Sequence, residues 1–328
     1  MAQNIQEKIS EIENFNNMKI LNILPKNIMI EVTNKCNCKC IFCANRKMKR
    51  QRRTIDSNLV NKALTEAKML KVKEIGFYVN GEPLMDNNLN NYIKKAKELS
   101  YEYIYITTNG ILAKKELIQK LFETGLNSIK FSINSIEREN YKLIHGIDKF
   151  DTVMRNLKEV YILKKEKFPD CRVYVSYIKT KYNNYSDRDI KKIFEEICDE
   201  VVIQNVKNQG GLISNIEKIK CEENKESITR KLPCFYPFKS IVITCEGYVT
   251  ACCMDFHNYL AYGDLKTDAL KNIWNNEIIT NFRRNQLEGK IENTICQNCI
   301  NNIFERCEPL NVEYYTEIDY SLWKNGDE

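Results

Sequence analysis

The sequence predicts an α/β protein: an open, partial (β/α)6 barrel followed by a small cysteine-rich unit built on a β-hairpin and a helix. Three observations predict it. Between residues 27 and 206, short β-rich runs alternate six times with helical stretches, the pattern of a parallel sheet with crossover helices. Six units fall short of the eight that close a barrel. After residue 233 the composition changes, and Cys234, Cys245, Cys252, Cys253, Cys296, Cys299 and Cys307 crowd the remaining chain.

Taken in order, residues 1–26 read as an N-terminal helical extension. The strand runs are NIMIEVT (27–33), EIGFYVN (74–80), YIYITTN (103–109), SIKFSIN (128–134), RVYVSYI (172–178) and EVVIQNV (200–206). Between the first two, DSNLVNKALTEAKMLK opens a helix on Asp56 as N-cap, with apolar residues at helical spacing. Further helices start near Asn88, Lys114, Asp151 and Ser186. In SIKFSIN, Ile129, Phe131 and Ile133 share one face and Ser128, Lys130, Ser132 and Asn134 the other. The apolar face suits packing on helices, and the polar face suits an interior that holds a ligand. Residues 207–232, with Gly210-Gly211 and many charges, read as a linker. In the second unit, 233–310, IVITCEGYVTACC turns as a hairpin at Glu246-Gly247. TDALKNIWNNEIITNFRRNQL follows as a helix opening at Thr267 or Asp268. Residues 311–328 form a tail.

The chain has 328 residues, 43% hydrophobic and 29% charged, enough apolar matter for a sizeable core. No run approaches the roughly 18 apolar residues of a membrane span, and the polar start MAQNIQEKISEIENF has no apolar signal core. The expectation is a cytoplasmic protein without a membrane partner. A net charge of +6 is too modest to signal nucleic acid. Fourteen cysteines in a reducing compartment point to metal or redox work, not to disulfides. The only histidines, His145 and His257, argue against a His-rich zinc centre and a Ser-His-Asp hydrolase. The basic run Arg46, Lys47, Lys49, Arg50, Arg52 and Arg53 is either a solvated loop or an anion site for a substrate phosphate or carboxylate.

Cys36, Cys40 and Cys43, in CNCKCIFC, have the spacing C-x3-C-x2-C directly after the first strand. That rim is where parallel α/β architectures place active sites. Three thiolates can hold three irons of a four-iron cubane and leave the fourth open. Short cysteine spacings also suit zinc.

The loop resembles the signature of the radical S-adenosylmethionine (SAM) enzymes. The resemblance implies an open iron chelated by SAM, reductive cleavage to a 5′-deoxyadenosyl radical, and hydrogen abstraction from a substrate C–H bond. It extends to Phe42, where the family has an aromatic residue close to the adenine. It extends also to Gly81-Glu82-Pro83, similar to the GGE-type motif that holds the SAM amino group, with Asn80 in place of the first glycine. Ser132 and Asn134 stand where the family makes SAM-ribose contacts, and TTNG (107–110) is similar to a supporting segment.

The later cysteines resemble the C-terminal extension called SPASM, or its shorter form, twitch. The resemblance implies one auxiliary [4Fe–4S] cluster on Cys234, Cys252, Cys296 and Cys299; a zinc ribbon is the other reading of these four. Cys307 does not fit the longer pattern. Cys253 adjoins a ligand, and if the segment is extended it faces the opposite way, as a buried thiol or as a hydrogen-atom donor at the barrel mouth. Cys245 is a weaker candidate for that role. Cys38, Cys171, Cys198 and Cys221 read as structural or incidental.

The expected cofactors are therefore SAM and two [4Fe–4S] clusters. The expected reaction is oxidation or epimerisation of a sugar- or cyclitol-like alcohol, with ribosomal-peptide modification and a non-catalytic zinc or Fe–S protein as alternatives. The expected partners are a small-molecule substrate, phosphorylated or nucleotide-linked if the basic run binds it, or a peptide, together with a flavodoxin- or ferredoxin-type reductant.

Overall fold

The computed structural model describes residues 20, 23–213, 215–221, 229 and 231–320; most of the expected N-terminal helix and residues 321–328 of the tail lie outside these. The strands are β1 (Asn27–Ile30), β2 (Glu74–Phe77), β3 (Tyr103–Thr108), β4 (Ser128–Ser132), β5 (Arg172–Lys179), β6 (Glu200–Asn205), β7 (Ser240–Ile243), β8 (Tyr248–Thr250) and β9 (Ala261–Asp264). They form one sheet in the order β6-β5-β4-β3-β2-β1-β7-β8-β9. The first six are parallel neighbours, as the strand–helix alternation predicts, and the sheet stays open between β6 and β9.

The C-terminal hairpin extends this sheet. β7 pairs in parallel with β1, Asn27 opposite Ser240 and Ile30 opposite Ile243, and β8 and β9 follow antiparallel. The hairpin turns where the sequence places it, with Gly247 at φ +94°.

The helices are α1 (Ser57–Met69), α2 (Leu89–Glu98), α3 (Lys115–Thr124), α4 (Arg138–His145), α5 (Phe150–Lys167), α6 (Asp187–Phe194), α7 (Ile216–Ile219), α8 (Tyr236–Lys239), α9 (Leu270–Trp274), α10 (Glu277–Glu288) and α11 (Ile295–Asn301). Asp56 caps α1, its carboxylate accepting from Asn58 N at 2.7 Å. The eight-residue α4, closed by Gly146 in the left-handed region, was not expected. The single helix expected after Thr267 is two, because the Asn276 side chain accepts from Ile279 N and starts a new helix. The described part of the expected linker is packed: Leu212, Ile213, Ile216 and Ile219 are buried, and a Cβ on Gly211 would collide with the Ile303 carbonyl.

Ile75, Phe77, Ile104, Ile106, Ile129, Phe131, Val173 and Val175 are fully buried on the helix-facing side of the sheet. Each such side chain stabilises the fold by about 1.5–3 kcal/mol. The other face of β2, β3 and β4 carries Tyr78, Tyr105, Thr107, Lys130 and Ser132, all partly exposed. At Gly76 an added Cβ would lie 2.7 Å from the rings of Tyr78 and Tyr105; the missing side chain lets the two rings converge.

Of the basic run only Arg50 is buried, while Arg46, Lys49, Arg52 and Arg53 are exposed. Arg50 donates to both oxygens of Glu31 at 2.7 and 2.8 Å, to Glu246 at 2.8 Å and to Asn258 at 3.0 Å. Lys49 N donates to His257 Nε2 at 3.2 Å. The loop after the first cysteines is thereby tied to β1 and to the C-terminal hairpin. No described helix is long and apolar enough to cross a membrane.

Candidate functional site

The first cysteine loop leaves the C-terminal end of β1 and is held on three sides. Gly81 packs against it with no room for a side chain: a Cβ would overlap the Thr33 carbonyl and lie 2.7 Å from Lys35 O. Glu82 N donates to Lys35 O at 2.8 Å. Lys39 N and Ile41 N donate to the carbonyls of His145 and Ile144, both at 2.9 Å, so the C-terminus of α4 is capped by the loop itself. Asn109, at the end of β3, donates to Asn37 Oδ1 at 2.6 Å and lies 3.9 Å from Cys36 Sγ.

Within the loop the Cys36 thiol is pushed up by hydrogen bonding with Cys38 and by burial. Burial pushes Cys43 up to about 11, opposed by Asn45 N–H and by Arg52 and Arg46. Such thiols keep their protons until a metal displaces them. The Cys38 thiol is likewise pushed up: Cys36 opposes the shift, and Cys40 and burial outweigh it. A depression of about 750 Å³, edged by Lys35, Lys39 and Arg46, opens beside Cys36 and Cys38.

His145 is the residue that spacing did not reveal. It is fully buried, stacked on Tyr141 at 4.1 Å, with Nδ1 3.6 Å from Cys40 Sγ. Its Nε2 lies 3.4 Å from Asn134 N and 3.3 Å from Asn134 Nδ2. The Asn134 amide is oriented by Ile178 N, which donates to Oδ1 at 2.8 Å. Two donors therefore converge on Nε2, so the ring proton sits on Nδ1 and points at the Cys40 sulfur. Burial lowers the ring's pKa to about 3 and keeps it neutral.

Two expected SAM contacts have their side chains committed to the protein. Asn134 is 2% exposed and bridges β5 to His145. Glu82, also 2% exposed, accepts from Thr108 Oγ1 and Asn109 N at 2.7 Å each and from Leu84 N at 3.1 Å. Desolvation nevertheless pushes its carboxyl up to about 7. Both position the loops around the cysteines. Pro83 opens the short turn Pro83–Met85, Phe42 is buried in the core, and Ser132 faces the concave side. Asn80 offers an orphan: its Oδ1 is buried and accepts no hydrogen bond, while its main-chain oxygen accepts from Asn45 Nδ2. An acceptor left open beside the cysteine loop fits an ammonium group.

The second cysteine set is enclosed. Cys234 before α8, Cys252 after β8, and Cys296 and Cys299 on α11 line one small pocket with apolar neighbours such as Phe282 and Ile295. Burial, then Cys234 and Cys299, push the Cys296 thiol well up. Met254 N donates to Cys252 Sγ at 3.3 Å. Among the described residues, the only trio of metal-ligating side chains with ligand atoms all within 4.8 Å is Glu31, Cys245 and Glu246, and Arg50 already ion-pairs both carboxylates of that group. Three thiols on one loop and four lining one pocket match the ligand counts of an open and a closed four-iron cluster. Cys307 lies apart, buried beside Asn298 Nδ2 at 3.1 Å.

Cys253 lies in a turn, not in an extended segment, and does not line the pocket of Cys252. It belongs to the surroundings of Tyr78, whose hydroxyl is pushed well up by burial first and then by Tyr105, Tyr236 and Cys253. Of the two adjacent thiols, Cys252 lines the enclosed pocket and Cys253 does not.

The comparisons agree with this anatomy. A family model described as the radical SAM superfamily matches residues 30–197, and one described as an iron–sulfur cluster-binding domain, SPASM, matches 234–300. Protein MJ0804 of Methanocaldococcus jannaschii is 30% identical over 205 residues, 58% of this chain; the chain spans 64% of that relative's length. The S-adenosyl-L-methionine-dependent 2-deoxy-scyllo-inosamine dehydrogenase of Niallia circulans is 24% identical over 305 residues, 90% of this chain and 97% of that protein. The crystal structure of BtrN in complex with AdoMet and 2-DOIA shares the fold, with a TM-score of 0.58 at 22% identity over 84% of this chain and 93% of that one. With the signature match spanning half of its length, the chain belongs to the radical SAM superfamily, whose enzymes use SAM and [4Fe–4S] clusters, and carries a C-terminal SPASM domain.

Proposed function

We propose that this radical SAM enzyme abstracts a hydrogen atom from a sugar- or cyclitol-like alcohol. In this reading Cys36, Cys40 and Cys43 hold the SAM-binding cluster, and Cys234, Cys252, Cys296 and Cys299 hold one auxiliary cluster. The observation that carries it is the contrast between the two thiol sets. One is a three-ligand loop at a strand end, beside the concave chamber and an unsatisfied acceptor, Asn80 Oδ1. The other is a closed four-thiol pocket. Bound SAM and its cluster, reduced by a flavodoxin- or ferredoxin-type protein, supply the hydrogen-abstracting chemistry.

The chain's own residues bind and orient. Asn80 Oδ1 accepts from the SAM ammonium, Ser132 faces the ribose, and Gly81 lets the loop approach. Glu82, Asn109 and Asn134 hold these elements in register, and the tyrosine wall of the chamber keeps water from the reacting carbon. The end-to-end similarity to a cyclitol dehydrogenase supports oxidation, in which a cluster held by Cys234, Cys252, Cys296 and Cys299 would accept the electron of the substrate radical and a base its hydroxyl proton. A second reading, epimerisation, is supported by Cys253, which neighbours Tyr78 electrostatically and lies outside the pocket of Cys252; its thiol would return a hydrogen atom from the opposite face, and the reductant with a proton would restore the thiyl radical left behind.

Anaerobically reconstituted protein should hold about eight irons, two cubanes of four, and make 5′-deoxyadenosine from SAM; Cys296→Ser should keep about four irons. Zinc in place of iron, or no SAM cleavage after reduction, overturns the reading. Turnover in D2O then separates the fates. A carbonyl product without solvent deuterium marks oxidation. Deuterium at an inverted carbon, lost in Cys253→Ala, marks epimerisation.

A further inference from the structure

One cation of the concave chamber has no partner. Lys130 lies in β4 between Ile129 and Phe131, both fully buried against the helices. Its side chain therefore projects to the opposite face, where it is partly exposed. Ser132 projects the same way, about 7 Å nearer the rim. Among the described residues Lys130 has no carboxylate in ion-pair range and no hydrogen bond, and burial alone lowers its pKa. Two arginines near the first cysteine loop, by contrast, have partners: Arg50 pairs with Glu31 and Glu246, and Arg52 donates to Asn34 O and Asn45.

The neighbours of Lys130 are unsatisfied or neutral. Its register partner on β3 is Thr107, whose hydroxyl oxygen is buried and makes no hydrogen bond. Its partner on β5 is Tyr174, hydrogen-bonded to Tyr103. Tyr103, Tyr105 and Tyr78 continue the wall, with ring centroids 5.8 Å apart. An ammonium and a hydroxyl side by side in a tyrosine-lined chamber, both without partners, carry a desolvation cost that an incoming oxyanion relieves.

We propose that Lys130 and Thr107 bind an anionic group of the substrate, a carboxylate or a phosphate monoester, one step deeper in the barrel than the SAM site. This rests on the concave face being the substrate chamber. It sets the substrate class apart from an unmodified amine-bearing cyclitol, whose ammonium would meet Lys130 as a like charge.

The test is calorimetry on the reconstituted holoenzyme in an anion-poor buffer, titrating inorganic phosphate, acetate and SAM separately. Wild type should bind phosphate or acetate saturably; which one binds names the source of the oxyanion. Lys130→Met should weaken that binding about tenfold or more, Lys130→Arg should retain most of it, and Thr107→Val should weaken it less than Lys130→Met does. Thr107→Val also reports on the site if Lys130→Met fails to fold. The proposal is overturned if wild type binds neither anion, if the variants bind as wild type does, or if SAM affinity falls tenfold alongside, which would assign Lys130 to the SAM carboxylate. Iron content and 5′-deoxyadenosine formation on the same wild-type preparation report the radical SAM reading separately.

Discussion

Replacing His145 by Phe should make the cluster held by Cys40 harder to reduce. The substitution keeps a ring against Tyr141, stacked at 4.1 Å, and deletes both nitrogens. It removes the Nδ1–H directed at Cys40 Sγ from 3.6 Å. A net hydrogen bond is worth about 0.5–1.5 kcal/mol, and the reduced cluster, being more negative, gains more from it than the oxidised one. At 59 mV per tenfold for a one-electron couple, the midpoint should fall by roughly 20–60 mV. The variant also strands Asn134 N–H and Nδ2–H in a buried site, at about 1–3 kcal/mol for each group left unpaired, so Tm should drop by several degrees. An EPR-monitored redox titration in a Cys296→Ser background isolates the first cluster. His145→Gln, which keeps an N–H donor, should recover part of the shift. An unchanged or more positive midpoint in His145→Phe would refute the assigned tautomer and its role.

Two further predictions concern the frame around the site. Arg50→Ala leaves Glu31, whose side chain is fully buried, as an uncompensated carboxylate and should cost about 3–5 kcal/mol in denaturant unfolding. Adding Glu31→Gln should return part of this, and a loss below about 1 kcal/mol would contradict the buried-network reading. Glu82 titrates near 7 in the fold against an ordinary 4.5, so the folded state favours its neutral form. Its contribution is fully present below about pH 4.5 and is lost as pH rises through 7, a swing of roughly 3 kcal/mol. Glu82→Gln should flatten that part of the stability profile between pH 5 and 8, and an unaltered profile would show that Glu82 stays ionised throughout.

The parallel barrel was legible because its signals are local. Alternation in SIKFSIN placed Phe131 on the helices and Lys130 and Ser132 in the chamber; Asp56 and Gly247 marked a cap and a turn. What escaped was set by long-range partners. The cation spacing of residues 46–53 carries charge, but it does not reveal that Glu31 and Glu246 consume Arg50. The motif positions of Glu82 and Asn134 were legible; the saturation of their side chains by Thr108, Asn109, Ile178 and His145 was not, because hydrogen-bond partners have no fixed sequence offset. His145 sits at the end of an eight-residue helix too short to stand out by periodicity, although His145-Gly146, with the glycine left-handed at the helix end, is the local trace it leaves.

The pairing of β1 with β7 has a consequence for how the enzyme is made. During synthesis the strand that carries the cysteine loop emerges early, yet its second neighbour is translated more than two hundred residues later. Until then β1 is a bare edge, the kind of surface on which chains associate wrongly. Arg50 waits equally long for Glu246. Assembly of the cysteine loop's support is thus timed by β7, and a chain stopped before residue 240 would leave the loop on a sheet that lacks one of its neighbours. The SPASM domain, in addition to holding its own thiols, covers the β1 edge of the sheet.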